Sequence, residues 1–233
     1  MSTLLTLLNK IYFRIRYFLL KFNFSSQNYW ELRYLTNGNS GTGSYNEFAE
    51  FKSDFINQII QDYKIDSIIE FGCGDGNQLQ FYKIKKYLGL DVSDNAIKRC
   101  IHLYQDDPSK AFLSYRQDHF HHLDLFLKAD AAISIEVLFH LVENPVWEKY
   151  LHDLFSCATK YVIIMSTNHD RNETASKHVF NRNFYSFIEK NYPHFEFEKS
   201  FVSNNKDVNE RFYGDYFHLF KNKKASLIKK VGA

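Results

Sequence analysis

The chain has 233 residues, 45% of them hydrophobic and 24% charged, with a net charge of +2. That length and balance suit one globular domain, with or without an appendage, and exclude a disordered or fibrous chain. The weak charge gives no electrostatic case for a nucleic-acid partner, and the isolated cysteines Cys73, Cys100 and Cys157 argue against a disulfide scaffold or zinc knuckle and suit a reducing, cytoplasmic compartment.

Taken in order, the first segment places Leu4, Leu8, Ile11, Ile15, Phe18 and Phe22 at helical spacing, with Lys10, Arg14 and Lys21 on another flank. These cations, with Arg16, argue against a spanning helix, and the lack of a small-residue cleavage site argues against a secretory signal. A basic amphipathic helix fits the membrane interface. A helix packed on its own domain or on a partner chain fits the same pattern, and a mitochondrial presequence shares the composition. The expected division is residues 1–24 as this helix and residues 25–233 as one domain.

Residues 28–34 carry Tyr29, Trp30, Glu31 and Arg33, and residues 37–45 form a loop rich in Gly, Ser and Asn. The loop is either a surface linker or a flap over a ligand. Phe48, Phe51, Phe55 and Ile59 mark one face of a helix over about 46–63. The abundance of Phe and Tyr, 23 and 16 copies, reads as compositional drift rather than as a set of sugar platforms.

The organising stretch is Asp66-Ser67-Ile68-Ile69-Glu70-Phe71-Gly72-Cys73-Gly74-Asp75-Gly76. Its apolar run predicts a short buried strand. The alternating glycines serve positive φ or close approach of a ligand, and Asn77–Tyr82 is expected to start a helix. The pattern is Gly-x-Gly-x-Gly, not the Gly-x-Gly-x-x-Gly that cradles a pyrophosphate. Glu70 at the strand's end repels phosphates and suits a cationic ligand.

A second strand, Tyr87–Asp91, ends in an acid 21 residues after Glu70, where it can accept both hydroxyls of a ribose. Ser93 or Asp94 caps a helix over Asn95–Tyr104. A third strand, Ala111–Tyr115, leads to Asp118, His119 and Phe120. His119, His121 and His122 make a poor metal set, because adjacent residues on an extended chain point different ways. Ala129–Ile135 and Tyr161–Met165 are further strands, separated by a helix that Pro145 opens and that runs to Cys157. A helix over Asn181–Asn191 and two strand-like runs, Phe195–Val202 and Arg211–Phe220, complete the chain. Strands alternating with helices predict an α/β fold with a parallel sheet covered on both faces.

The ordered set Glu70-x-Gly72-x-Gly74-x-Gly76, Asp91, Asp118 and the strand ending at Ile135 resembles the class I S-adenosylmethionine-dependent methyltransferases over about residues 28–220. Two longer stretches, Ser44–Lys52 and Ser134–Glu143, resemble a bacterial and viral group that often accompanies surface-glycan enzymes. The resemblance implies a Rossmann-like doubly wound sheet, mostly parallel, with a C-terminal antiparallel strand pair and one edge strand reversed. It implies S-adenosyl-L-methionine as cofactor, held by Trp30, Arg33, Ser44, Glu70, Gly72, Gly74, Asp75, Asp91, Val92, Asp118, His119 and Glu136. In such sites Asp118 stands where an acid accepts the adenine amino group, and the stretch containing Trp30 folds over the cofactor. A purely structural role for Trp30 fits equally well.

His140, after the fourth strand, is the expected catalytic base, with pocket lining as the equal alternative. His178 and Arg182 follow the fifth strand and are expected to bind a polar or anionic acceptor. No Asn-Pro-Pro-Tyr motif is present, which argues against amide or nucleobase methylation. The expected function is therefore O-methylation of a sugar or glycan hydroxyl, without a metal and with peripheral membrane contact through residues 1–24. The alternatives are a small-molecule or protein N-methyltransferase and a non-catalytic methyltransferase-like subunit recruited to a membrane.

Overall fold

A computed structural model describes residues 15, 16, 18, 24–173, 176–201 and 217–225. The expected amphipathic helix over 1–24 and the start of the final strand-like run at Arg211 lie outside or mostly outside these residues. Among the described residues one seven-stranded sheet has the order β3-β2-β1-β4-β5-β7-β6. Its strands are β1 (Ser67–Phe71), β2 (Lys86–Asp91), β3 (Lys110–Ser114), β4 (Ala129–Ile135), β5 (Ala158–Met165), β6 (Phe195–Phe201) and β7 (Phe217–Asn222). Pairing is parallel from β3 through β5, and β7 runs antiparallel to both β5 and β6. The antiparallel pair matches the expected fold, but the reversed strand is β7, inserted inside the edge, and β6 is the edge.

Period-two alternation sends neighbouring side chains to opposite faces of the sheet. Ile69, Phe71, Leu90 and Ala132 pack beneath α4 (Asn144–Cys157) with Leu151, Leu154 and Phe155, and Ile188 of α5 (Tyr185–Asn191) joins them. Ile68, Tyr87, Ala131 and Ile133 pack on the other side with Ile56, Ile59 and Ile60 of α2 (Asn46–Asp62). Each fully buried isoleucine contributes up to about 1.5–3 kcal/mol of transfer free energy. Two further helices are α1 (Ser26–Leu35) and α3 (Asp94–Leu103), the latter capped by Ser93, whose hydroxyl accepts from Ala96 N.

Two elements differ from the sequence expectation. The segment after the glycine loop makes only a 3₁₀ turn, Gln78–Phe81, and no α-helix. The connection from Phe71 to Lys86 is short, and α2, lying earlier in the chain, already covers that face of the sheet. The helix expected over Asn181–Asn191 begins at Tyr185, because Asn181 is tied into the preceding loop through Asn172 and Arg171. In α2 the buried stripe is Ala49, Lys52, Ser53, Ile56, Ile59 and Ile60. The phenylalanines that were to mark the inner face lie half-buried beside it, with Phe55 stacked on Phe217.

Candidate active site

The carboxyl ends of β1, β2 and β4 open into a cavity of about 740 Å³, within the range of small-molecule clefts. Its floor is the glycine loop. Gly72 and Gly74 have φ of 80° and 60°, and a Cβ on them would collide with Val137 Cγ2 and Ser40 Oγ respectively. The loop's amides are already spent: Gly72 N and Cys73 N donate to Leu90 O, Gly76 N to Cys73 O, Gly74 N to Asp91 Oδ2 and Asp75 N to Ser40 Oγ. A nest with no free N–H groups has nothing to offer a phosphate.

The carboxylates decide the character of this floor. Glu70 is buried and accepts from Tyr87 Oη at 2.6 Å. Burial outweighs that hydrogen bond and the nearby Lys52, pushing its carboxyl up to about 7. Asp91 accepts from Gly74 N at 2.9 Å and Ser93 N at 2.8 Å, and burial still pushes it up to about 6. Each oxygen keeps a lone pair for a further donor. Glu136 follows β4 with φ of 58° and pairs at 2.5 Å with Lys52 Nζ, whose side chain is 2% exposed. A cation bound here would relieve buried negative charge.

A flap closes the cavity. Ser40 and Asp75 bind through both main chain and side chain, and Tyr45 Oη adds a hydrogen bond to Asp75 at 2.8 Å. Arg99 donates to Gly38 O and Tyr34 O, and Asn77 Nδ2 reaches Ser44 O at 2.7 Å. Arg33 donates to Asn39 O at 2.6 Å and lies over the Trp30 ring. Residues 37–45 are thus fastened at the cavity, which Ser40–Ser44 line, rather than forming a surface linker.

At the opposite wall, His140 Nδ1 lies 2.8 Å from His178 O. A carbonyl only accepts, so Nδ1 carries the proton and Nε2 presents its lone pair. Burial lowers the imidazole to about 4, so it is neutral at ordinary pH. His178 stacks on Tyr29 at 4.9 Å and on His140 at 5.5 Å, while Trp30 meets His140 edge-on at 5.0 Å.

Of the residues expected from the sequence, Trp30, Arg33, Ser44, Glu70, Gly72, Gly74, Asp75, Asp91, Val92, Asp118, His119, Glu136, His140 and His178 all line this one cavity. Asp118 and His119 sit at its mouth, with side chains 82% and 68% exposed. Arg182 is a correction. It stands outside the cavity and donates to Leu141 O at 2.8 Å, Val142 O at 2.7 Å and Asn144 Oδ1 at 2.8 Å, with its guanidinium over the Phe180 ring. With its fork committed to the chain, it clamps the segment after His140 instead of binding an acceptor.

The sequence reading missed Ser40, Lys52 and Glu143. Lys52 and Glu143 close the two long stretches Ser44–Lys52 and Ser134–Glu143, which was the available signal. Among the described residues no group of three or more His, Cys, Asp or Glu is placed to hold a metal ion.

Residues 68–160 match the methyltransferase domain family. No curated protein matches the chain. Among solved structures, the N-methyltransferase NodS from Bradyrhizobium japonicum WM9 in complex with S-adenosyl-L-homocysteine aligns with a TM-score of 0.66 at 15% identity, over 84% of this chain and 98% of that one. Magnesium protoporphyrin IX methyltransferase (ChlM) from Synechocystis PCC 6803 with bound SAH aligns at 0.55 and 16% identity, over 78% and 90%. An S-adenosylmethionine-dependent methyltransferase from Clostridium acetobutylicum ATCC 824 aligns at 0.55 and 13% identity, over 77% and 93%.

Proposed function

The chain is a methyltransferase of the class I fold, dependent on S-adenosylmethionine, and from that premise we propose that it methylates a hydroxyl of a sugar or glycan. The neighbours named above include an N-methyltransferase and a porphyrin methyltransferase, so fold does not choose the acceptor. The observation that carries the hydroxyl reading is His140: a neutral imidazole on the cavity wall, with Nδ1–H held by His178 O and the lone pair on Nε2. A hydroxyl needs such a base; an amine that arrives deprotonated needs only alignment.

The bound cofactor supplies an electrophilic methyl group on a positively charged sulfur. Glu70 supports that charge, Asp91 accepts the ribose hydroxyls, and Asp118 takes the adenine amino group at the mouth. The flap, fastened by Ser40 and Asp75, excludes water. His140 Nε2 takes the acceptor's proton as the oxygen attacks. The basic, acid-free segment 1–24 supports contact with an anionic membrane surface; among the described residues no helix is long and apolar enough to cross a membrane.

A labelled-methyl transfer screen across sugars, lipids, proteins and nucleic acids tests this reading. Labelled O-methyl sugar is the expected product. Label appearing only on nitrogen would replace the hydroxyl reading with an N-methyltransferase.

A further inference from the structure

Parallel pairing sets Ile68 of β1 beside Tyr87 of β2, and Glu70 beside Gly89. Side chains two residues apart on a strand share a face, so Ile68, Glu70 and Tyr87 all lie on the side of the sheet that α2 covers. A strand rises about 3.3 Å per residue, a step that a tyrosine ring spans twice over, and the residue opposite Glu70 is a glycine with no side chain in the way. The Tyr87 hydroxyl therefore reaches Glu70 and donates to its Oε2 at 2.6 Å, with Tyr87 4% and Glu70 6% exposed.

That bond acts on a carboxyl balanced between two charge states. Burial, with the charge of Asp91, pushes Glu70 up; the Tyr87 and Tyr82 hydroxyls and Lys52 pull it down, and the balance stands at about 7. Cys73 on the glycine loop, Tyr104 at the end of α3 and Tyr150 on α4 also feel its charge. Lys52 is shared with Glu136, which it meets at 2.5 Å. Tyr87 has no such second partner to serve. Burial and the Glu70 charge hold its phenol well above the ordinary value, so it stays a donor throughout the working range, and a donor favours the ionised carboxylate over the neutral acid.

Methyl transfer changes the charge that Glu70 meets. The methyl carbon bonds to the acceptor oxygen, sulfur keeps the electron pair of the broken bond and becomes neutral, and the acceptor's proton goes to His140. An ionised Glu70 therefore favours S-adenosylmethionine over the S-adenosylhomocysteine left behind, and a protonated Glu70 does not. We infer that Tyr87 is a positioning residue that keeps Glu70 ionised and thereby sets the cavity's preference for S-adenosylmethionine over S-adenosylhomocysteine. This goes beyond the proposed function and rests on its reading that Glu70 supports the sulfonium charge. Tyr87 stands behind the cavity wall rather than on it, and acts only through Glu70.

The test is calorimetry of both ligands on the full chain from about pH 5.5 to about pH 9, for wild type, Tyr87→Phe and Glu70→Gln. In wild type the preference for S-adenosylmethionine should develop as pH rises through about 7. Tyr87→Phe keeps the ring and removes the donor. Its preference should develop about one to two pH units higher, the effect of losing a hydrogen bond to a charged group, so that it is lost at neutral pH and regained in alkali. Glu70→Gln should show no pH-dependent preference. A packing role for Tyr87 would instead weaken both ligands equally at every pH, and that result, or a midpoint shared by wild type and Tyr87→Phe, overturns the inference while leaving Glu70 its role. A wild-type preference that persists in Glu70→Gln places the sulfur away from Glu70 and removes both. Should Tyr87→Phe fail to fold, the carbon-13 resonance of Tyr87 Cζ in the wild-type chain decides: it is expected to titrate with the midpoint of the preference, and indifference to pH there overturns the inference.

Discussion

Ser40 and Asp75 hold each other by three hydrogen bonds: Ser40 N to Asp75 Oδ2 at 3.0 Å, Ser40 Oγ to Asp75 Oδ1 at 2.7 Å, and Asp75 N to Ser40 Oγ at 3.0 Å. They join two loops 35 residues apart in sequence, so the flap and the cofactor floor are one unit. Asp75→Ala removes the two bonds that the carboxylate accepts from Ser40 and the one from Tyr45. At about 0.5–1.5 kcal/mol each, cofactor affinity should weaken roughly 10-fold or more, and residues 37–45 should become the first site of limited proteolysis. An uncleaved flap with unchanged calorimetric affinity would mean that the loop is held by other contacts.

Burial raises Glu70 and Asp91 to about 7 and about 6, which makes a signed prediction. Between the ordinary carboxyl range and these values the folded chain binds more protons than the unfolded one. These groups therefore favour folding below about pH 4, and that contribution is lost as pH rises through 6 and 7. A positive sulfur beside Glu70 lowers its affinity for a proton. Calorimetry near pH 6.5, in buffers of different ionisation enthalpy, should detect more proton release with S-adenosylmethionine than with S-adenosylhomocysteine. Glu70→Gln should abolish the difference. Equal proton release by the two ligands would place the sulfur away from Glu70.

Lys52 and Glu136 form an ion pair with the lysine fully buried. Lys52→Met should destabilise the chain by about 3 kcal/mol or more, because it removes the buried partner of an ion pair. The double variant Lys52→Met, Glu136→Gln should recover part of that loss by denaturant titration. Additive losses would show that the two residues act independently.

Arg182 offers a contrast with a surface arginine. Its fork bonds two carbonyls and Asn144 on the segment that follows His140. Arg182→Lys, which keeps charge but not the planar fork, should lower turnover by about 10-fold or more without changing S-adenosylhomocysteine affinity, since a displaced base costs alignment. Full turnover in Arg182→Lys would remove the clamp from the account.

Much of this was legible in the sequence. The apolar, β-branched runs at Ile68–Phe71 and Ala129–Ile135 gave β1 and β4, because fully buried parallel strands need no alternation to be recognised. Glu70, the glycines and Asp91 were readable because special backbone geometry and strand-end acids restrict residue choice. Other features were hidden. The missing helix after Gly76 depends on α2 having taken its place, which is a tertiary fact. Lys52 interrupts the apolar stripe of α2, and nothing local marks it as buried, since its partner Glu136 is 84 residues away. Arg182 looked like an acceptor ligand until its hydrogen bonds showed where its fork goes.

The central claim is that His140 serves as base on a hydroxyl held in the cofactor cavity. Burial sets its imidazole at about 4, below its ordinary value, so it becomes competent as pH rises through about 4 and stays competent above. The decisive measurement is turnover against pH under saturating cofactor and acceptor, for wild type and His140→Ala, with S-adenosylhomocysteine affinity measured on both. Wild-type turnover should be flat above about pH 5 and fall toward pH 4. His140→Ala should lose about 10²–10⁴-fold in turnover and that inflection, with cofactor affinity unchanged. A variant that keeps its turnover and its pH profile while only acceptor affinity weakens would contradict the claim and leave His140 as a wall of the pocket.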